Sequence, residues 1–300
     1  MRVVVSGATG LIGAGLIQRL RSRGDEVLVL SRDPERAQSV LDIDAAAWNP
    51  LAGPAPAHAL SGADAVVHLA GANVAQRWSA AVKRAIRESR ERGTANLVAG
   101  LAAADPRPRV LASASAIGYY GPHGEEPIDE SATAGEDFLA QVCVAWEREA
   151  LAAGPLGTRV ATLRTGVVLS RAGGALAKML PPFRAGVGGP VAGGHQYVPW
   201  VHVDDVVGLY LAAIDDERFA GAFNVTAPAP VTNRTFSRAL GRALHRPAVM
   251  PVPAFALRLL FGEMAQIVTS GANALPAGAL ALGYRFEHPE LEAALAAALD

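Results

Sequence analysis

One cysteine, Cys143, and two lysines, Lys83 and Lys178, are all that 300 residues hold of these types. A lone thiol excludes an internal disulfide and any multi-cysteine metal site, and no metal is expected from the rest of the chain. Charged residues are also sparse at 18%, and 27 basic against 28 acidic side chains leave a formal net charge of −1. That balance provides no global field to draw in nucleic acid or an anionic membrane, so neither is expected as a partner. No apolar run approaches the ~20 residues that cross a bilayer. The opening MRVVVSGATGLIG is too short and too glycine-broken for a signal peptide. The expectation is a cytoplasmic protein that acts on a small-molecule substrate.

What is present is an alternation of short apolar runs with longer amphipathic segments. Strands are expected at Arg2–Ser6, Glu26–Ser31, Ala65–Leu69, Val110–Ala114 and Arg159–Arg164, and helices at Leu11–Arg23, Ala80–Ala103 and Glu136–Ala152. The strand runs are continuously apolar, as when helices cover both faces of a parallel sheet. The fold class is therefore α/β, a Rossmann-type doubly wound parallel sheet. After about residue 170 the chain becomes rich in Gly and Pro, with a late strand at Ala222–Val225. Short helices follow at Phe236–Leu244, Ala254–Val268 and Leu291–Leu299. The domain reading is a dinucleotide-binding unit over 1–170, joined by about 198–227. Residues 171–197 and 228–300 form a small, mainly helical cap on the substrate side.

SGATGLIGAGL sets Gly7, Gly10 and Gly13 between the first strand and the first helix. The G-x-x-G-x-x-G spacing is one residue longer in its first gap than the usual dinucleotide fingerprint, but the physics is shared. Gly7 permits the tight turn, Gly10 lets the backbone approach a pyrophosphate, and Gly13 lets helix and strand pack closely. Thr9, Leu11 and Ile12 complete the turn, and the helix start adds free amides and a positive dipole end. The second strand ends in Ser31-Arg32 rather than in an acidic residue. A hydroxyl and a guanidinium suit a ribose 2′-phosphate, so NADP(H) is expected over NAD(H). Asp33 is the competing signal, but with Pro34 and Glu35 behind it this residue reads as a helix cap.

At this point the chain resembles the extended short-chain dehydrogenase/reductase superfamily. HLAG (His68–Gly71) is similar to its cofactor-lining loop, SASAIGYYG (Ser113–Gly121) to its serine-bearing strand end, and VHVDDVVGLYLAAI to a later strand-to-helix segment. SRERGT, FLAQVCVAWE, LRTGVVLS, GGALAKMLPPF, VPWVHVDD, NVTAPAPVTN and GEMAQI follow in the order of an atypical branch, the NAD(P)-dependent nucleotide-sugar epimerase family. Its C-terminal module is matched by GYRFEHPELEAAL. The resemblance spans essentially the whole chain. It implies cofactor contacts from Leu69, Ala70, Gly71, Ser113, Gly166 and Val167, and an oxidoreductase or epimerase-like reaction on a small polar or nucleotide-sugar-like compound.

It also implies a Tyr and a Lys four residues apart on one helix face, the phenol moving a proton while the ammonium lowers its pKa and holds the nicotinamide ribose. The family spacing puts this pair on Phe138 and Val142, or one residue on at Leu139 and Cys143, and neither alignment supplies a phenol or an ammonium. Three readings stay open. Tyr119 or Tyr120 takes over as the acid, with Ser115 holding the substrate oxygen. Alternatively Cys143 acts through its thiol, against the ordinary expectation of a core residue. The third possibility is an NADP(H)-dependent sensor or assembly factor without turnover.

Other polar residues have plainer readings. QRWSAAVKRAIRESR carries Arg77, Lys83, Ser89 and Arg90 on one helix, mostly as a solvated face, with Arg77 and Lys83 kept as anion contacts. In HQYVPWVHVDD, Gln196 and Trp200 are substrate-pocket candidates. His202 and Asp204 share a side without a further evident ligand, and Asp204 is expected to cap the next helix. His68 reads as a hydrogen-bonded structural histidine.

Overall fold

The computed structural model describes all 300 residues. Its main sheet holds β1 (Arg2–Ser6), β2 (Glu26–Ser31), β3 (Ala45–Ala47), β4 (Ala65–His68), β5 (Val110–Ala116), β6 (Arg159–Thr165) and β7 (Gly221–Val225). Their order is β7-β6-β5-β4-β1-β2-β3, every pair parallel. From β1 the chain builds outward on one side through β2 and β3 and on the other through β4 onward. The winding therefore reverses between β1 and β4, and a crevice opens at their C-terminal ends.

Helices cover both faces. On one lie α1 (Leu11–Ser22) and α6 (Val203–Asp215), whose Leu16, Ile17, Leu209 and Tyr210 pack on Val3, Val5 and Val67. On the other, α3 (Ala80–Ala103) buries Leu97 and Leu101 against Val4, Val66 and Leu111. Full burial of each such side chain contributes about 1.5–3 kcal/mol. Between them in the chain, α2 (Pro34–Leu41) starts under an Asp33 cap whose carboxylate accepts the Arg36 N–H, while α4 (Phe138–Leu151) starts under Asp137.

Four longer helices remain, α5 (Gly174–Arg184), α7 (Asn233–Ala243), α8 (Ala254–Phe261) and α9 (Leu291–Leu299), beside short ones of four or five residues. Of these, α5, α7 and α9 form a separate core in which Leu176, Phe183, Phe236, Leu240 and Leu295 surround Trp200. The C-terminal helices make the small cap. Two expectations change here. The helix expected over Ala254–Val268 stops at Phe261, because Gly262 adopts φ +62° and turns the chain into short turns up to Thr269. The cap of α6 is His202, whose ring Nδ1 accepts the Asp204 N–H at 3.2 Å, and not Asp204, which sits with Asp205 in the first turn. Both acids there complement the helix dipole.

Candidate functional site

The crevice is built around Gly7. It takes φ +74°, and a methyl group on it would stand 2.6 Å from the Leu69 carbonyl carbon and 2.7 Å from the Ala70 nitrogen. The first turn and the loop after β4 are thus in backbone contact. Gly13 is equally tight, since a methyl there would lie 2.6 Å from the carbonyl oxygens of Gly7 and Ala8. Gly10 caps α1 with extended backbone and without any side-chain hydrogen bond. The N–H groups of Leu11, Ile12 and Gly13 have no acceptor within the helix, as at every helix start. Thr9 and Gly10 are exposed beside them. This cradle fits an anionic diphosphate, which is small enough to meet bare backbone and takes up the free amides.

At the end of β2 the Ser31 hydroxyl turns inward on its own loop, donating to the Asp33 carbonyl and accepting the Asp33 N–H. Arg32 is exposed, and no hydrogen bond or ion pair engages it. Asp33 is consumed by the cap of α2. The side of the crevice where a 2′-substituent would lie therefore presents one free guanidinium.

His68, at the end of β4, is fully buried, with Nδ1 2.7 Å from the Ser6 hydroxyl and Nε2 3.1 Å from that of Thr94. Burial, aided by the Arg90 charge, lowers its pKa to about 4, so it is a neutral bridge between β1, β4 and α3.

The far end of the crevice differs from the sequence picture in its wiring. Ser115 is buried and its hydroxyl donates to Glu147 at 2.6 Å. Glu147 and Arg164 form a bidentate pair, both bonds 2.8 Å, with both side chains less than a tenth exposed. Arg164 also donates to the Tyr120 hydroxyl at 2.9 Å, and that hydroxyl donates to Asn224 at 2.8 Å. Burial raises the Tyr120 pKa despite the cation beside it. Ser113 is buried as well, its hydroxyl turned to the Ala114 carbonyl. Tyr119 stands apart. It is half-buried, its ring lies 3.5 Å from the Arg164 guanidinium carbon, and no protein group hydrogen-bonds its hydroxyl.

On α4, the positions where the resemblance asks for a dyad are apolar. Phe138 packs edge-on against Trp78 at 5.2 Å, with the Lys83 ammonium 5.1 Å from its ring centre. Leu139 and Cys143 lie beneath Gly118. Burial, with the Glu147 charge nearby, pushes the Cys143 thiol up to about 12, so it stays protonated at neutral pH. Gly166 and Val167 donate their N–H groups to the carbonyls of Val225 and Pro199.

The four proposed substrate contacts are each engaged with protein. Arg77 donates to the carbonyls of Leu259 and Leu260, and Lys83 pairs with Glu263. Gln196 donates to the Val191 and Val268 carbonyls, and the fully buried Trp200 donates to that of Ala229. The network centred on Glu147 and Arg164 carried no sequence signal beyond its place in matched motifs. The same holds for His288, whose ring lies tilted against that of His202 with centres 3.9 Å apart. Together with Asp204 these histidines bring three potential ligand atoms within 4.8 Å of one another, but His202 Nδ1 already accepts a helix N–H.

Fold and crevice define an NAD(P)-binding, doubly wound α/β protein of the extended short-chain dehydrogenase/reductase type, oxidoreductase- or epimerase-like in class. The chain belongs to the NAD dependent epimerase/dehydratase family, whose model matches residues 3–226, and it carries a domain of unknown function, DUF1731, over 252–298. It is 41% identical over 311 residues to the epimerase family protein SDR39U1 homolog, chloroplastic, of Arabidopsis thaliana, covering 100% of this chain and 87% of that one. The Bacillus subtilis epimerase family protein YfhF is 34% identical, over 98% of this chain and 97% of its own. The crystal structure of the human epimerase family protein SDR39U1 (isoform 2) with NADPH matches with a TM-score of 0.89 and 35% identity, over 100% of both chains.

Proposed function

We propose that this protein binds NADP(H) in preference to NAD(H) and works as an oxidoreductase or epimerase-like enzyme on a small polar or nucleotide-sugar-like compound, without a Tyr-x3-Lys dyad. The carrying observation is the backbone cradle of Gly7 and Gly13 below an uncapped helix start, with the free Arg32 at the end of the neighbouring strand. NADPH in the crystal structure of the human relative supports the same choice. The α1 amides would hold the diphosphate and Arg32 the 2′-phosphate. When bound, the nicotinamide supplies or takes up a hydride. Tyr119 is the proton donor in this reading, because its hydroxyl alone among Ser115, Tyr119 and Tyr120 is free of protein partners. Residues 171–197 and 228–300 would enclose the substrate, and the one buried thiol suits a reducing compartment such as the cytoplasm.

A second reading, an NADP(H)-dependent sensor or assembly factor, draws on the same far end of the crevice. There Ser115, Tyr120 and Cys143 are all withdrawn into the interior. The experiment is to strip the protein of ligand and follow NADPH oxidation by sugars, nucleotide sugars, quinones and aldehydes and, with NADP+ bound, epimer interconversion of the sugars and nucleotide sugars. Turnover is expected, and Tyr119→Phe should lower it by about 10²-fold or more, the usual worth of a positioned acid, with NADPH affinity unchanged. Tight dinucleotide binding with neither oxidation of NADPH nor epimer interconversion of any compound would favour the sensor. Full activity in Tyr119→Phe would remove this tyrosine from the chemistry.

A further inference from the structure

Of the chain's 27 basic side chains two are lysines, and both meet the segment that leads from β4 into α3. Lys178 on α5 donates to the Ala75 carbonyl at 2.8 Å. Lys83, in the first turn of α3, holds its ammonium 5.8 Å from the ring centre of Trp78 and 5.1 Å from that of Phe138. Both rings are half-buried. Trp78 is fixed by donating to the Val74 carbonyl, and Phe138 opens α4 at one of the positions where a dyad phenol would stand. Rings at this range hold a cation in place without neutralising it.

The Lys83 charge is met by Glu263, in the turn after α8. This pair differs from the buried one of Arg164 with Glu147. The Glu263 side chain is 65% exposed and that of Lys83 30%. Ion pairs so open to water hold weakly and exchange readily. Met264 and Ala265, next in the chain, are buried, so the turn need not undock for the Glu263 carboxylate to swing away. The ammonium would then stay between its two rings.

The pair borders the far end of the crevice. The loop that carries Trp78 begins at Leu69 and Ala70, in backbone contact with Gly7 of the diphosphate cradle. Asp137, just before Phe138, lies against the turn that carries Tyr119 and Tyr120, since a methyl on Gly121 would stand 3.5 Å from its carboxylate. We infer that Glu263 is an internal stand-in for an acidic group of the substrate, a carboxylate or a phosphate, which displaces it from Lys83 on entry. Glu263 thereby sets specificity. A neutral compound leaves the pair closed, and an anionic one opens it. The inference rests on the enzyme reading above and adds the charge of its substrate.

The test is NMR on the full-length protein labelled with 13Cε-lysine and saturated with NADPH, which fills the diphosphate cradle. Lys83→Arg identifies the Lys83 signal, and Lys178 serves as the internal control. Inorganic pyrophosphate or malonate should shift the Lys83 signal and leave that of Lys178 in place, and the tighter of the two names the acidic group. Glu263→Gln removes the internal rival and should tighten that anion about fivefold, the worth of an exposed pair. In calorimetry Lys83→Met should weaken it about tenfold or more, the worth of a charge-assisted contact. A Lys83 signal that moves with neither anion, or equally with sodium chloride at the same ionic strength, would overturn the assignment. So would unchanged anion affinity in Glu263→Gln, which would leave the pair a plain surface contact. NADPH binding is followed separately by its fluorescence. Its failure would count against the dinucleotide reading, with the Lys83 signal then titrated on the bare protein. Absence of turnover while that signal still shifts would count against the enzyme reading alone.

Discussion

A free arginine at a strand end and a paired arginine in the core show how context assigns roles to one residue type. Arg32 has no partner at the end of β2, while Asp33, the one acid that could mimic an NAD-type site, is spent on the α2 cap. A charge-assisted contact to a phosphate is worth roughly 1.5–3 kcal/mol. Arg32→Glu should therefore weaken NADPH by at least about tenfold while leaving NADH nearly unchanged. Isothermal titration with both dinucleotides checks this, and equal losses would move the 2′-phosphate elsewhere. Arg164 is the contrasting case. It knots Glu147, Tyr120 and, through Glu147, Ser115 into one buried network, which is why strand-end hydroxyls that look available in sequence are occupied in space. Ser113 and Ser115 share a strand face by simple alternation. Which neighbours that face meets depends on α4, whose Glu147 lies 32 residues further along the chain.

Among the elements, the segment from α8 to Thr269 lies across the Rossmann unit as a strap. Arg77 and Lys83 hold it from the loop and helix after β4, Asp137 at the start of α4 accepts from Gln266, and Gln196 reaches the Val268 carbonyl. Its α8 presents Phe255, Leu259 and Leu260 outward, so few apolar contacts anchor it. Polar latches at partly exposed positions hold with modest force, at most about 1 kcal/mol for an ion pair of this kind. Glu263→Arg, which sets like charge against Lys83, should speed amide exchange over residues 254–269 by about fivefold while moving Tm by less than about 2 °C. Hydrogen–deuterium exchange read by mass spectrometry decides it. Unchanged exchange there would mean that the latch carries no weight.

For the molecule as a whole, the two faces of the sheet make its stability sensitive to acid. His68 bridges strand and helix as a neutral ring with a folded pKa of about 4, far below the ordinary value of 6.5. Burial also holds the His202 pKa down. Between pH 6.5 and 4 the unfolded chain binds protons that the folded chain refuses, so stability must fall as pH falls through that window. Asp205, whose carboxyl is raised by burial, works in the opposite sense, since the folded state takes up its proton more readily. At one pKa unit per 1.36 kcal/mol, His68 alone removes roughly 2 kcal/mol between pH 7.5 and 5. Urea denaturation at the two pH values, without cofactor, should show that loss. Equal midpoints and slopes would count against His68 as a buried neutral bridge.

The amino-acid order alone determined the Rossmann half. The strands at Arg2–Ser6 and Glu26–Ser31 and the helix at Ala80–Ala103 stand where their apolar runs place them, because a strand buried on both faces and a long one-sided helix are local patterns. The glycine turn was legible for the same reason, since its backbone demands arise within a dozen residues. The short β3 left no trace, as three alanines carry no period. Tertiary structure alone decided which side chains are free to act. It drew Ser115 and Tyr120 into the Arg164 network, gave Arg77 and Lys83 to the strap, and set Arg90 on the Ala72 carbonyl. Each outcome joins residues far apart in the chain. Such distances close only when the sheet assembles, and burial then fixes which polar group must find a partner inside the protein.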